Sequence, residues 1–186
     1  MGMTAGIGHN HGPEMTGLSW RTHCWRAART RLVPVLPLEV VRLRVRRAAE
    51  LGLEYKTYAG IRASTGHDLV AFLFSSNALR VLRAGQVVPL DRAEKLAGIA
   101  NTGLIGLAIP PLQATALAQA VPMLTRSHAA PHHLASFADA RLRLREVLGK
   151  TPSDTVLLIG DHGLEAEWCA AGRLAGYLPA ERYFTA

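Results

Sequence analysis

The sequence predicts an α/β protein: a small parallel sheet of about three strands with flanking helices, preceded by a basic helical N-terminal region. Three short apolar runs, at 68–76, 102–110 and 154–161, alternate with segments of helical periodicity. This alternation is typical of parallel strands joined by helical crossovers. Hydrophobic residues make up 49% of the chain and charged residues 19%, a balance that predicts a folded core rather than global disorder.

Charge divides the chain unevenly. Residues 1–66 carry ten Lys and Arg against four acids, a net charge of +6, whereas residues 67–186 carry eleven against ten, a net charge of +1. We therefore expect a flexible arm over 1–19, a basic helical region over 20–66 and the α/β domain over 67–186. A one-sided positive field favours nucleic acid, an anionic membrane surface or an acidic protein as partner. The alternative is an arginine-rich surface that binds none of them.

The N-terminal residues and the cysteines exclude several classes of protein. Residues 20–32 predict a short basic helix, which Pro34 and Pro37 end. His9 and His11 in the glycine-rich arm lack a third ligand, so we expect no metal site there.

Two cysteines without a CxxC pair argue against a disulfide scaffold or a thiolate zinc site and are compatible with the cytoplasm. The uncharged interval 96–124 is interrupted by prolines, so it predicts core rather than a membrane span.

Two helices follow, joined by a glycine turn. The first is predicted over Leu38–Leu51, where Val41, Val45, Ala48 and Leu51 recur at helical spacing after Pro37. Gly52 stops it. The second is predicted over Glu54–Ser64, with Tyr58 and Ile61 facing inward and Gly66 closing it.

This arrangement resembles the helix-turn-helix pattern, with small Ala48 and flexible Gly52 where the helices cross and Leu51 and Leu53 beside the turn. Tyr58 and Arg47 depart from the pattern, since apolar aliphatic residues commonly stand there. The resemblance implies a recognition helix and a phosphate-binding helix. The groove-facing residues would be Tyr55, Lys56, Thr57 and Arg62, and the phosphate contacts Arg42, Arg44, Arg46 and Arg47. The alternative is an amphipathic hairpin that matches the template by accident.

The remaining elements follow in order. We expect a strand at 68–76, although a buried helix through Arg83 stays an alternative, and a helix start at 77–83. Beyond these, the sequence predicts a helix capped by Asp91 or a neighbour, a strand at 102–110, a helix at 112–124, a loop at 127–133, a helix at 134–148, a strand at 156–159, a turn at 160–163 and a helix at 164–176.

Polar side chains follow two of the predicted strands. Ser75, Ser76 and Asn77 end the first, and Asp161 and His162 end the last. Ligands of open parallel sheets collect at the carboxyl ends of strands, so these residues predict one rim, with His67 and Asp68 at the opposite end. Ser75, Asn77, Asp161 and His162 are candidate catalytic residues of a small hydrolase or transferase, although the GxSxG elbow is absent.

Other chemistry lacks its usual sequence support. The chain has no P-loop, no GxGxxG and no HExxH motif, so we expect no cofactor. His128, His132 and His133 are interpreted as surface histidines, and Cys169 as a packed residue. The leading hypothesis is a cytoplasmic accessory or regulatory protein that binds nucleic acid through its basic helical region. The alternatives are the small enzyme and an adaptor whose basic arm docks on an acidic protein.

Overall fold

The structure is a computed structural model that describes residues 36–185. The arm predicted over 1–19 and the basic helix predicted over 20–32 lie outside the described residues. By its contacts the chain divides after Val41, and all packing given below lies within the unit that begins at Arg42.

Helices and strands alternate from residue 55 onward. The helices are α1 Leu38–Glu50, α2 Tyr55–Thr65, α3 Leu90–Ala97, α4 Ala114–Ala120, α5 Phe137–Leu148, α6 Gly163–Gly172 and α7 Ala180–Phe184. The strands are β1 Ala71–Ser75, β2 Gly103–Ala108, β3 Arg126–Ala129, β4 Val156–Gly160 and β5 Gly176–Pro179, and a 3₁₀ turn, Ser153–Thr155, leads into β4.

The strands form one parallel sheet in the order β3-β2-β1-β4-β5. The predicted α/β class is confirmed, but the sheet has five strands within the described residues rather than about three. The three central strands coincide with the predicted apolar runs and are buried almost throughout. The two missed strands are four-residue edge strands, RSHA and GYLP, which are only half-covered and therefore carry no continuous apolar run.

Alternating side chains of the central strands supply a core on each face of the sheet. On the first face, Phe72 and Phe74 pack against Tyr183 of α7, with ring centroids 5.6 and 5.8 Å from it. The inner residues of α1 to α4 join that core. On the second face, Leu73 packs in a core with Leu144 of α5 and Trp168 of α6, together with other buried residues of both helices. The sheet is therefore the middle layer of three.

The predicted helix pair has the expected limits. α1 and α2 each lie within a residue of their predicted bounds, and the turn glycine, Gly52, adopts φ +63°. Ala48, Leu51 and Tyr58 are buried as predicted. The inward position predicted for Val45 is wrong, because this side chain is 46% exposed.

Several predictions beyond β1 are wrong in detail. Residues 77–83 form a turn and loop instead of a helix start. Pro89, not Asp91, precedes α3, and α4 is shorter than the predicted 112–124 segment. α5 begins only at Phe137, because Ser136 caps it by accepting a hydrogen bond from Asp139 N at 3.2 Å. Leu134 and Leu164, the first residues of two predicted helices, are exposed, and so is Phe137.

Two predicted loop and helix limits also change because of the edge strands. The predicted loop at 127–133 gives way to β3 over its first residues, and the predicted helix at 164–176 ends at Gly172 to leave room for β5. Within residues 36–185, no helix has the length and apolarity to cross a lipid bilayer.

Candidate functional site

Three of the basic residues predicted to contact nucleic acid are exposed near the α1–α2 turn. Arg42 and Arg46 lie one turn apart on α1, and Lys56 lies in the first turn of α2. We call these three residues the basic surface. Arg44 is half-buried, and its Nε makes no hydrogen bond within the described part of the chain.

Arg47 has a structural role at the amino end of the sheet. Its side chain is 17% exposed. The guanidinium donates hydrogen bonds to Glu50 Oε2 and Leu69 O at 2.9 Å, to Asp68 Oδ2, Asn101 O and Thr102 Oγ1 at 3.2 Å, and to Ala100 O at 3.3 Å. Most of these acceptors directly precede β1 or β2. Arg47 therefore fastens the end of α1 to the base of both strands, and its donors are already occupied.

Arg62 belongs to the same network. Its Nη1 lies 3.6 Å from Asp68 Oδ1 and 3.3 Å from the hydroxyl of Tyr58. The Tyr58 hydroxyl donates to Asp68 Oδ1 at 2.7 Å. Burial raises the pKa of Tyr58, and this hydrogen bond raises it further. Arg62 thus supports the packing of α2 against the segment that leads into β1.

The other residues predicted to face a groove are also engaged within the protein. Tyr55 packs against the first core. Thr57 Oγ1 accepts a hydrogen bond from Arg182 Nη2 at 3.1 Å. The exposed face of α2 consists of Lys56, Gly60, Ala63 and Ser64 and carries one charge. The exposed cations near this turn therefore lie mainly on α1.

The predicted rim lies at the carboxyl ends of β1 and β4. Both serines of the rim have structural roles, because Ser75 and Ser76 are buried. Ser75 Oγ accepts from Ala78 N at 3.0 Å and Ser76 Oγ from Ile109 N at 3.1 Å. These bonds shape the loop ends after β1 and β2, and neither hydroxyl is open to a substrate.

Asn77 and Asp161 are brought together through Glu165, in the first turn of α6. Glu165 is fully buried. Its Oε1 accepts from Asn77 Nδ2 and its Oε2 from Asp161 N, both at 2.8 Å. A side chain at Gly160 would collide with this carboxylate. Gly160 at the end of β4 therefore leaves space for the Glu165 carboxylate, which connects the loop after β1 to the loop after β4 by hydrogen bonds.

Two arginines that sequence reasoning missed lie near Asp161. Arg80, in the turn after β1, places Nη1 3.5 Å from Asp161 Oδ2. Arg92 of α3 is 8% exposed, and its guanidinium carbon lies 4.5 Å from the centroid of the Phe184 ring. Burial lowers the pKa of Arg92, and Arg80 lowers it further, whereas Asp91 and Asp161 raise it. We call Asn77, Arg80, Arg92, Asp161 and Glu165 the edge cluster.

The remaining candidates make other contacts. His162 is exposed, and its carbonyl accepts from the Tyr177 hydroxyl at 3.1 Å. His67 and Asp68 lie at the amino end of the sheet, as predicted, where His67 Nε2 is 3.4 Å from Asp154 Oδ2. Cys169 is half-buried beside the second core, and burial raises its pKa to about 11.

Comparisons with protein-family models, curated proteins and solved structures found no match to this chain. Its function is therefore inferred from its own residues.

Proposed function

We propose that this protein is an accessory or regulatory protein that binds nucleic acid through the basic surface and the arginine-rich sequence that precedes it. The proposal is supported above all by the exposure of Arg42 and Arg46 on one helix, one turn apart. Cations placed in this way can follow successive phosphates of a nucleic-acid backbone. Residues 1–66, which contain both arginines, carry a net charge of +6.

The mode of binding that we propose is contact with phosphates rather than reading of bases. Of the residues that the helix-turn-helix resemblance placed near a groove, Tyr55, Thr57 and Arg62 already make contacts within the protein. Lys56 is the charged residue on the exposed face of α2. Phosphate contacts position a protein without giving it sequence preference. We therefore expect affinity that depends strongly on salt and little on sequence.

The direct test compares two charge reversals of equal size. The first is the double variant Arg42→Glu and Arg46→Glu. The second is Arg141→Glu and Arg145→Glu on α5, which packs on the other face of the sheet. Arg141 and Arg145 are also one turn apart, and together with Arg173 they are close enough for the pKa of Arg141 to be lowered. Both variants change the net charge equally, so they separate a local surface from the overall charge.

Binding is measured by fluorescence anisotropy with a short labelled DNA duplex and with the matching RNA. The α1 variant is expected to bind at least about tenfold more weakly than the unmodified protein, and the α5 variant to stay within about threefold of it. Equal losses in both variants would assign the binding to net charge alone. Absence of binding in the unmodified protein would reject nucleic acid and leave the acidic-protein adaptor. Arg47 is kept in all variants because its loss would disturb folding.

Catalysis forms no part of this proposal. The hydrolase or transferase hypothesis required a nucleophile at the rim, and the hydroxyls of Ser75 and Ser76 are buried and hold backbone amides. Asp161 and Asn77 do converge, but through Glu165 rather than through His162. Neither serine is therefore an exposed nucleophile at the rim.

A further inference from the structure

The edge cluster lies where the order of strands in the sheet reverses. The chain leaves β1 for α3, whose Leu96 belongs to the first core, and leaves β4 for α6, whose Trp168 belongs to the second. Neighbouring strands β1 and β4 therefore send their connections to opposite faces of the sheet. Such a divergence opens a crevice at the carboxyl ends of the two strands, which is the usual ligand position in open α/β sheets.

Arg92 is the unusual member of this cluster. It is 8% exposed, and its Nη1 is buried without a hydrogen-bond partner in residues 36–185. The guanidinium lies over the Phe184 ring, whose face attracts the positive charge. A buried charged donor without an acceptor is costly, and such groups are commonly satisfied by a bound ion or water. The position of Arg92 therefore indicates a missing acceptor.

The surroundings indicate what that acceptor is. Arg80 adds a second positive charge, and one 3.5 Å contact with Asp161 holds its half-exposed side chain, so it can turn to another anion at little cost. Glu165 accepts hydrogen bonds from Asn77 and from the backbone of Asp161 and none from Arg92 Nη1, which leaves this nitrogen for a further oxygen ligand. Two guanidinium groups are well suited to an oxyanion, because their N–H groups match its oxygen atoms.

We propose that the edge cluster binds a small ligand through one oxyanion group, a phosphate or a carboxylate, which accepts hydrogen bonds from Arg92 and Arg80. The burial of Arg92 limits the site to a small anion, in contrast to the open basic surface. The site is independent of the nucleic-acid proposal, since it uses none of Arg42, Arg46 and Lys56.

The test uses the whole protein with inorganic phosphate and formate as probes, each at constant ionic strength against chloride. Binding is followed by isothermal calorimetry and by the rise in melting temperature, since a ligand that binds only the folded state stabilises it. Arg92→Met removes the charge and keeps an apolar side chain against Phe184. Lys95→Met, on the same helix, removes one positive charge as a matched control. A response to phosphate but not formate, or the reverse, tells which oxyanion the site prefers.

At least one probe is expected to raise the melting temperature of the unmodified protein and of Lys95→Met. Arg92→Met should bind that probe at least about tenfold more weakly, and in chloride it should be no less stable than the unmodified protein, because it lacks the unpaired buried charge. The proposal is overturned if neither probe acts beyond chloride, or if Arg92→Met responds like the control. Marked destabilisation of Arg92→Met in chloride with an unchanged response would assign Arg92 a purely structural role.

Discussion

Replacing Arg47 by Met tests whether this arginine stabilises the fold. The substitution removes all the hydrogen bonds of the guanidinium while keeping much of its apolar stem. The carbonyl of buried Leu69 loses its 2.9 Å donor, and an unsatisfied buried acceptor costs about 1–3 kcal/mol. Glu50 and Asp68 also lose a partner, but both are partly exposed, and Asp68 keeps Tyr58 and Arg62, so they add about 1 kcal/mol together.

The expected loss of unfolding free energy is therefore about 2–4 kcal/mol. With a urea dependence of about 2 kcal/mol per molar, the unfolding midpoint should fall by about 1–2 M. Urea unfolding is followed by tryptophan fluorescence, and the comparison requires the same dependence of unfolding free energy on urea concentration in each variant. Arg46→Met is the matched control on the same helix, and its exposed side chain predicts a change within about 0.5 kcal/mol. Equal midpoints for the two variants would refute the structural role of Arg47.

Three further predictions concern other buried groups. Tyr183→Phe should lower the unfolding free energy by about 1–2 kcal/mol because the Leu51 carbonyl loses its 3.0 Å donor. Tyr177→Phe, whose hydroxyl bond is exposed, should change it by no more than about 0.5 kcal/mol. Equal urea midpoints for the two variants would contradict this. Burial raises the pKa of Cys169 from an ordinary value of 9.0 to about 11, so it should be alkylated near pH 8 about 100-fold more slowly in the native than in the denatured protein, as measured by peptide mass spectrometry. Comparable rates would show that the thiol is accessible. Burial lowers the pKa of His128 from 6.5, and Arg126 and Arg143 lower it further. The unfolded state therefore binds more protons below pH 6.5, and stability decreases as the pH is lowered from 6.5 to the folded-state pKa. His128→Gln should lose less stability than the unmodified protein over that window in urea titrations, and identical losses would oppose the assignment.

The central strands could be predicted from the sequence because their physical signal is local. β1, β2 and β4 are buried on both faces, so each appears as a continuous apolar run. β3 and β5 at the edges have no such signal, because half-exposed four-residue strands tolerate polar residues, glycine and proline. α1 and α2 were predictable for a similar reason, since glycines with positive φ mark their ends.

The roles of individual charged residues could not be predicted, because they depend on partners distant in sequence. Arg47 donates a hydrogen bond to Thr102, 55 positions away in the sequence, and Asn77 donates one to Glu165, 88 positions away. The helix-turn-helix resemblance implied that Arg47 contacts phosphates, and Glu165 was not among the candidate site residues. The near-neutral sum over residues 67–186 also concealed the cluster of Arg141, Arg145 and Arg173. Net charge over a segment therefore locates a polyanion surface only coarsely.

The salt dependence of DNA binding tests the nucleic-acid proposal most directly. Each phosphate contact to duplex DNA contributes about 0.9 to the slope of the logarithm of affinity against the logarithm of salt concentration. Loss of Arg42 and Arg46 should therefore flatten the slope by about 2 relative to the unmodified protein, while Arg141→Glu with Arg145→Glu leaves it unchanged. A slope that stays the same in the α1 variant, or flattens equally in both, would contradict phosphate binding by α1.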